Sequence, residues 1–299
     1  MAKKSGAFLN QIAEPIAVIT AIDSQSRFPE ILASTLQKYE VDIRLFQSLV
    51  NKAATSGELL GLIRQPTIPA KNRMSLLKIF RRSVCSVMDT ETSKKITKVP
   101  TEHLVKHYGQ MFKPIEVLKS QFQSLSVDQI ASLAALIGEY DTRGTLGYQL
   151  TEMFFEWFEL SFAGELEIEG PKGAGRDVEL SSSIFPKFKG NYPCDFVIRR
   201  KSDQKVLAVG FARYDSTRGG AQSDDRTGGN SNKVEKAKAF CLKTGESFRI
   251  LFLSDGPGLI HGDTWREACE LDGSWDGNVR VTTLKTAAKR VSLKWLMGS

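Results

Sequence analysis

One acidic residue, Asp195, opens the apolar run Phe196-Val197-Ile198, directly after Tyr192-Pro193-Cys194. A second β-like run, Lys205–Tyr214, follows a polar Arg-Arg-Lys-Ser-Asp-Gln turn, so the two read as a hairpin. A carboxylate at a strand mouth, joined by a second on the neighbouring strand, holds a hard divalent cation such as Mg2+, which polarises a phosphoryl oxygen for attack by water. The stretch 213–232 then supplies Arg213, Arg218, Gln222, Arg226, Asn230 and Asn232. Arginine paired with guanine, and glutamine or asparagine with adenine, are the side chains that match base edges in double-stranded DNA. Asp215, Asp224 and Asp225 would repel phosphates, so they suit orienting the arginines. Lys233, at the start of an expected helix, and Arg213 are cations that could orient the water or neutralise the phosphate.

In these residues the chain resembles the PD-(D/E)XK nuclease superfamily and, more narrowly, the GATC-cutting type II restriction endonucleases. The likeness rests on Cys194-Asp195-Phe196-Val197-Ile198, Val206-Leu207-Ala208-Val209-Gly210-Phe211, Asn230-Ser231-Asn232-Lys233-Val234-Glu235 and Ile250-Leu251-Phe252-Leu253-Ser254-Asp255-Gly256. It implies an α/β fold: a restriction-endonuclease-like mixed central sheet flanked by helices. It also implies Mg2+-dependent, sequence-specific cleavage of double-stranded DNA by a homodimer within a restriction-modification system. Asp195 would be the metal ligand, Lys233 the loop lysine, and Glu152 or Glu156 an acid behind the metal. Counted from Asp195, the family's metal-binding Glu falls on Ala208 and its strand lysine on Gly210. Only the backbone carbonyl of Val209 would then remain there as a weak ligand. Three readings follow: a degenerate nuclease, an acid moved elsewhere, or a substitution of the kind used to trap a nuclease on uncut DNA. The intact surrounding strand and loop favour the last, a chain that binds its site and cuts poorly. The competing classes are a non-catalytic DNA-binding protein on the same fold and a structure-specific repair nuclease.

The elements that must position these residues follow from periodicity and breakers. Tyr148–Phe162 is nearly solid with large apolar residues, and its acids, Glu152, Glu156 and Glu159, fall at helical spacing, giving a helix with one polar stripe. Glu165–Glu169 and Arg176–Leu180 read as strands before the hairpin, Phe248–Leu253 and Val279–Val281 as strands after it. A helix from Lys233 to about residue 244 would cross between two of them. Upstream, apolar residues near a 3.6 period predict helices over 7–60, Met74–Val87, Glu102–Phe112, Ile115–Phe122 and Ile130–Ile137. Asp141-Thr142-Arg143-Gly144 reads as a break, dividing a helical region, 1–140, that binds DNA or dimerises from a nuclease core, 141–299.

Charge supports a nucleic-acid partner. The net charge is +7, and the stretch from Arg64 to Lys98 alone holds nine basic residues against two acidic ones. Such clustering suits phosphate contacts, with Arg73, Arg81 and Arg82 as the backbone clamp; a solvated basic face is the equal alternative. The four cysteines, Cys85, Cys194, Cys241 and Cys269, form no CxxC pair and read as reduced thiols of a cytoplasmic protein. His103 and His107, four apart, lack a third ligand for a metal. No run of eighteen apolar residues is present, so no membrane partner is expected.

Overall fold

The computed structural model describes residues 7–23, 27–173, 175–216 and 224–298, without the side chains of 140–144, 182, 183 and 224–228. The chain divides into two units, Gln25–Thr142 and a second that joins Met1–Ser24 to Arg143–Ser299. The division falls between Thr142 and Arg143, close to the expected boundary, but the first two dozen residues belong with the later part of the chain.

The first unit is helical: α1 (Glu30–Lys52), α2 (Ser56–Ile63), α3 (Ala70–Ser83), α4 (Thr90–Ser93), α5 (Thr101–Tyr108), α6 (Ile115–Phe122) and the first part of α7 (Val127–Phe162). Their apolar stripes bury one core that includes Ile43, Phe46, Leu60, Leu77, Phe80, Leu118 and Ile130. The start of α7 is fixed by a reciprocal cap. The Ser126 hydroxyl accepts from the backbone N–H of Gln129 at 3.2 Å, and the Gln129 side chain accepts from the Ser126 N–H at 2.8 Å. The break expected at 141–144 is absent, and α7 stays helical through it. A single Gly in a helix costs only about 1 kcal/mol relative to Ala, which the apolar residues on either side offset.

The second unit is a mixed α/β layer structure. Its sheet has five strands in the order β1 (Leu166–Glu169), β4 (Phe196–Arg200), β5 (Val206–Tyr214), β6 (Arg249–Asp255), β7 (Val279–Thr282). A separate two-stranded ribbon pairs β2 (Val178–Glu179) with β3 (Pro193–Cys194). β1–β4 and β4–β5 are antiparallel, whereas β5–β6 and β6–β7 are parallel. Parallel neighbours need a crossover; α9 (Asp224–Thr244) and α10 (Gly262–Leu271) supply it, with the short α8 (Leu180–Ser183) lying earlier and α11 (Ala287–Arg290) and α12 (Leu293–Met297) closing the chain. Alternation along the strands splits the core. Val197, Val209, Phe211 and Phe252 pack with Val234, Ala237 and Phe240 of α9. Phe196, Ile198, Ala208, Leu251 and Leu253 pack with Phe154, Phe155 and Phe158 of α7 and with Trp295 of α12.

Residues 7–22 differ from the expected helix. They form two 3-10 turns, Leu9–Gln11 and Pro15–Val18, and are held by distant carboxylates. The N–H of Leu9 donates to Asp272 at 3.2 Å and that of Thr20 to Asp255 at 2.8 Å. Asp255 is fully buried and also accepts from the N–H groups of Gly256 and Leu284, each at 2.8 Å. The Asp255-Gly256 pair therefore knots the strand end to the N-terminal segment.

Gly210 is dictated by packing. A Cβ placed there would lie 2.0 Å from the ring of Phe196, its cross-strand partner. Gly210→Ala is expected to lose about 3 kcal/mol, at the upper end of ordinary overpacking, with partial recovery in the Phe196→Leu background, read from urea midpoints. Equal stability of Gly210→Ala and the parent would contradict this contact.

Candidate active site

The register of the hairpin decides which side chains meet Asp195. Phe196 pairs with Gly210, Val197 with Val209 and Ile198 with Ala208, with an irregularity after Ile198. The Asp195 N–H donates to the carbonyl of Gly210 at 2.9 Å, and its carboxylate Oδ2 accepts from the N–H of Ala212 at 2.8 Å. The carboxylate thus sits at the far end of the β4–β5 pairing, level with Phe211 and Ala212.

Ala208 is not beside it. It lies fully buried opposite Ile198, within the aromatic layer beneath α7. Val209 is equally buried, opposite Val197, and its carbonyl is not placed at the Asp195 carboxylate. The expectation that residue 208 marks a lost metal ligand and Val209 a surviving one is corrected by this register. The count from Asp195 took no account of the turn at 201–205 and the irregularity after Ile198. Glu152 stands on the exposed side of α7 and is not among the charges acting on Asp195.

The partner the sequence did not reveal is Asp177. In the ribbon, Val178 pairs with Cys194 and Glu179 with Pro193, so the same antiparallel register sets Asp177 across from Asp195. Burial raises the Asp195 carboxyl above its ordinary value, the Ala212 N–H opposes this, and the like charge of Asp177 raises it further while Lys233 lowers it. Glu179 holds the ribbon by accepting from the N–H of Tyr192 at 2.7 Å and from the Ser181 hydroxyl at 2.7 Å. Its hydrogen bonds keep that carboxyl below the usual range. Cys194 gives its thiol to the Val178 carbonyl at 3.3 Å, and burial pushes it up to about 12, so it is an inert packing group.

Lys233 comes from α9. Tyr192 donates its hydroxyl to the Lys233 carbonyl at 3.0 Å, and the Lys233 ammonium lies 3.9 Å from the centre of the Phe211 ring. Burial lowers the ammonium below its ordinary value, partly offset by the charges of Asp195 and Asp177, and Arg213 lowers it a little more. Arg213 is half exposed and pairs with the buried Asp215 at 2.8 Å. The site is therefore two carboxylates and two cations at the ends of β3 and β5 and on one face of α9.

The remaining expected residues are distributed differently. α9 begins at Asp224, nine residues before the expected start, so Asn230 and Asn232 are helical, half-buried and exposed respectively, and not part of a loop. Arg218 and Gln222 lie outside the described residues, as does the side chain of Arg226. In the helical unit much of the basic cluster makes internal contacts. Arg64 is buried, donating to the Ser93 carbonyl at 2.8 Å, to the Thr101 hydroxyl at 2.6 Å and to the Val99 carbonyl. Arg73 donates to the Ile68 carbonyl at 3.1 Å, Arg81 to that of Ser86 at 3.2 Å, and Arg82 lies 3.6 Å from Glu139. The His103 and His107 rings lie tilted against each other with centres 4.4 Å apart. Among the described residues, no group of three His, Cys, Asp or Glu side chains is gathered as a metal site, and no helix is long and apolar enough to cross a membrane.

The raised Asp195 carboxyl has a stability consequence. Its folded value exceeds its unfolded one, so ionising it at neutral pH disfavours the fold, and this cost vanishes once pH falls below the unfolded value, where the group is neutral in both states. Asp195→Asn is therefore expected to match or exceed the parent in thermal stability at pH 7, the gap closing as pH falls towards 3.8. A mutant clearly less stable than the parent at pH 7 would contradict the assignment. No family model, curated protein or solved structure matches the chain.

Proposed function

We propose that the chain is a metal-dependent endonuclease of double-stranded DNA, on a restriction-endonuclease-like core, with Asp195, Asp177, Lys233 and Arg213 as its site and no catalytic defect at Ala208. The observation that carries this reading is the half-buried Asp195 carboxylate at a strand end, under the charges of the exposed Asp177 and the half-buried Lys233. The oxygen donors fit Mg2+, which is commonly held through one or two carboxylates together with water and substrate phosphate. Crowding of two like charges in a partly desolvated position is what a divalent cation relieves. Asp195 and Asp177 would hold it; when bound, it polarises the phosphoryl oxygen and lowers the pKa of water.

The chain's own groups then have separate tasks. Lys233, as an ammonium, orients the attacking water or neutralises charge on the scissile phosphate. Arg213, fixed in direction by Asp215, neutralises charge on the phosphate. The Tyr192 hydroxyl holds the α9 backbone at Lys233. Cleavage of both strands of a symmetric sequence calls for two such sites, hence a homodimer. Arg218, Gln222, Arg226, Asn230 and Asn232 remain the proposed contacts to base edges, and Arg73, Arg81 and Arg82 the proposed contacts to phosphates.

The test is incubation of the purified chain with plasmid and genomic DNA in Mg2+ or Mn2+. Discrete fragments with uniform ends, lost on adding EDTA, are expected. Absence of cleavage across a sequence-diverse panel in either metal would leave the nuclease reading without support.

A further inference from the structure

On the sheet face that packs against α12, at the start of β6 and in β7, lie Arg249 and Arg280. Arg249 pairs with Ala208 at the beginning of the parallel strands, and Arg280 with Leu251. Strand alternation sets both on the face opposite Asp195. Their guanidinium carbons lie 5.7 and 4.6 Å from the ring centre of Trp295, whose indole N–H is anchored to the Gly277 carbonyl at 2.9 Å. The counter-charges of the arginines in this part of the fold are unequal. Arg290 is paired with Asp272 and Arg200 with Asp203, whereas among the described residues neither Arg249 nor Arg280 has a carboxylate partner. The Arg249 Nε is buried and has no hydrogen-bond partner, and Arg280 gives one N–H to the Arg290 carbonyl. Burial and then the charge of Arg290 push Arg280 down to about 10, against the opposing charge of Asp272, and Arg249 adds to the lowering.

Two half-buried guanidinium groups beside one indole, neither in a direct ion pair among the described residues, are an arrangement that an oxyanion completes. A guanidinium matches the edge of a phosphate in shape, and the pair carries two positive charges to set against a dianion. Desolvated cations left uncompensated disfavour the fold, so an anion that binds only the folded state stabilises it. We propose that Arg249 and Arg280, stacked on Trp295, form a binding site for a phosphate group, either free or carried at the end of a nucleic acid strand. This site does not depend on the nuclease reading and lies on the other face of the sheet.

The probe is inorganic phosphate, titrated against the melting temperature of the full chain with sodium chloride matched for ionic strength. A saturable rise is expected, with the affinity falling tenfold or more in Arg249→Gln and in Arg280→Gln. Arg249→Lys, which keeps the charge and loses the fork, should show an intermediate loss and guards against misfolding of the glutamine variants. Asp195→Asn should leave the rise intact. Comparison of 5′-phosphorylated and unphosphorylated oligonucleotides by fluorescence anisotropy separates the two sources: an Arg249-dependent preference for the phosphorylated strand points to nucleic acid ends, its absence to a small phosphate. No rise beyond the chloride control, or a rise unchanged in Arg249→Gln and Arg280→Gln, overturns the proposal. So does a rise lost in Asp195→Asn alone.

Discussion

Ala208→Glu unfolds the second unit instead of restoring a ligand. Residue 208 is fully buried opposite Ile198, among Phe196, Leu207 and Leu251 under the aromatic face of α7. A glutamate there adds a methylene and a carboxyl group to a packed apolar layer. Overpacking alone costs about 1–3 kcal/mol, and burying an unpaired polar group adds roughly 2 kcal/mol or more even if the acid stays protonated. A total of about 4 kcal/mol or more approaches the whole stability of an ordinary domain. Circular dichroism and urea midpoints should show a chain that is unfolded or only marginally folded at neutral pH, recovering partly below pH 5 as the acid is neutralised. A stable Ala208→Glu protein that gains cleavage would mean that residue 208 does reach the Asp195 carboxylate, and the register described above would be wrong.

That prediction turns on something a linear count could not supply. The two runs of the hairpin were legible, at Phe196–Arg200 and Val206–Tyr214, because alternating and continuous β-branched residues flank a polar turn. The later strands Arg249–Asp255 and Val279–Thr282 were legible for the same reason. Register was not, since it depends on how many residues the turn absorbs and where the ladder slips, and one step moves a side chain to the other face. Asp177 was hidden for a different reason. It reaches Asp195 only through a two-residue ribbon closed by Glu179 across a long excursion, a contact with no local periodicity. The start of α9 was missed because Thr227-Gly228-Gly229-Asn230 are poor helix formers, yet the helix extends back to Asp224. Gly210, where the resemblance leaves the strand lysine vacant, is also a space that the Phe196 ring requires.

On the proposed nuclease reading, Asp195→Asn should cut the cleavage rate sharply while sparing DNA binding. The substitution keeps the shape of the side chain and an oxygen able to accept from Ala212 N–H, but removes the charge that attracts a divalent cation and balances Lys233. Loss of one charge contact aimed at a reacting phosphate typically lowers the rate by about 10²–10³, and loss of metal affinity multiplies that at limiting Mg2+. Asp177→Asn should lose less, about 10²-fold, because that residue is exposed and reaches the site across the ribbon. Groups that act as one unit are not additive, so the double variant should be no worse than Asp195→Asn alone. Lys233→Met should fall by a similar factor but keep its response to Mg2+ concentration, whereas both aspartate variants should need more metal for half-maximal rate. Cleavage rates measured across a Mg2+ series therefore separate ligand from cation. An Asp195→Asn protein that cuts at the parental rate would remove Asp195 from the chemistry, and with it the reason to place a metal between the ends of β3 and β5.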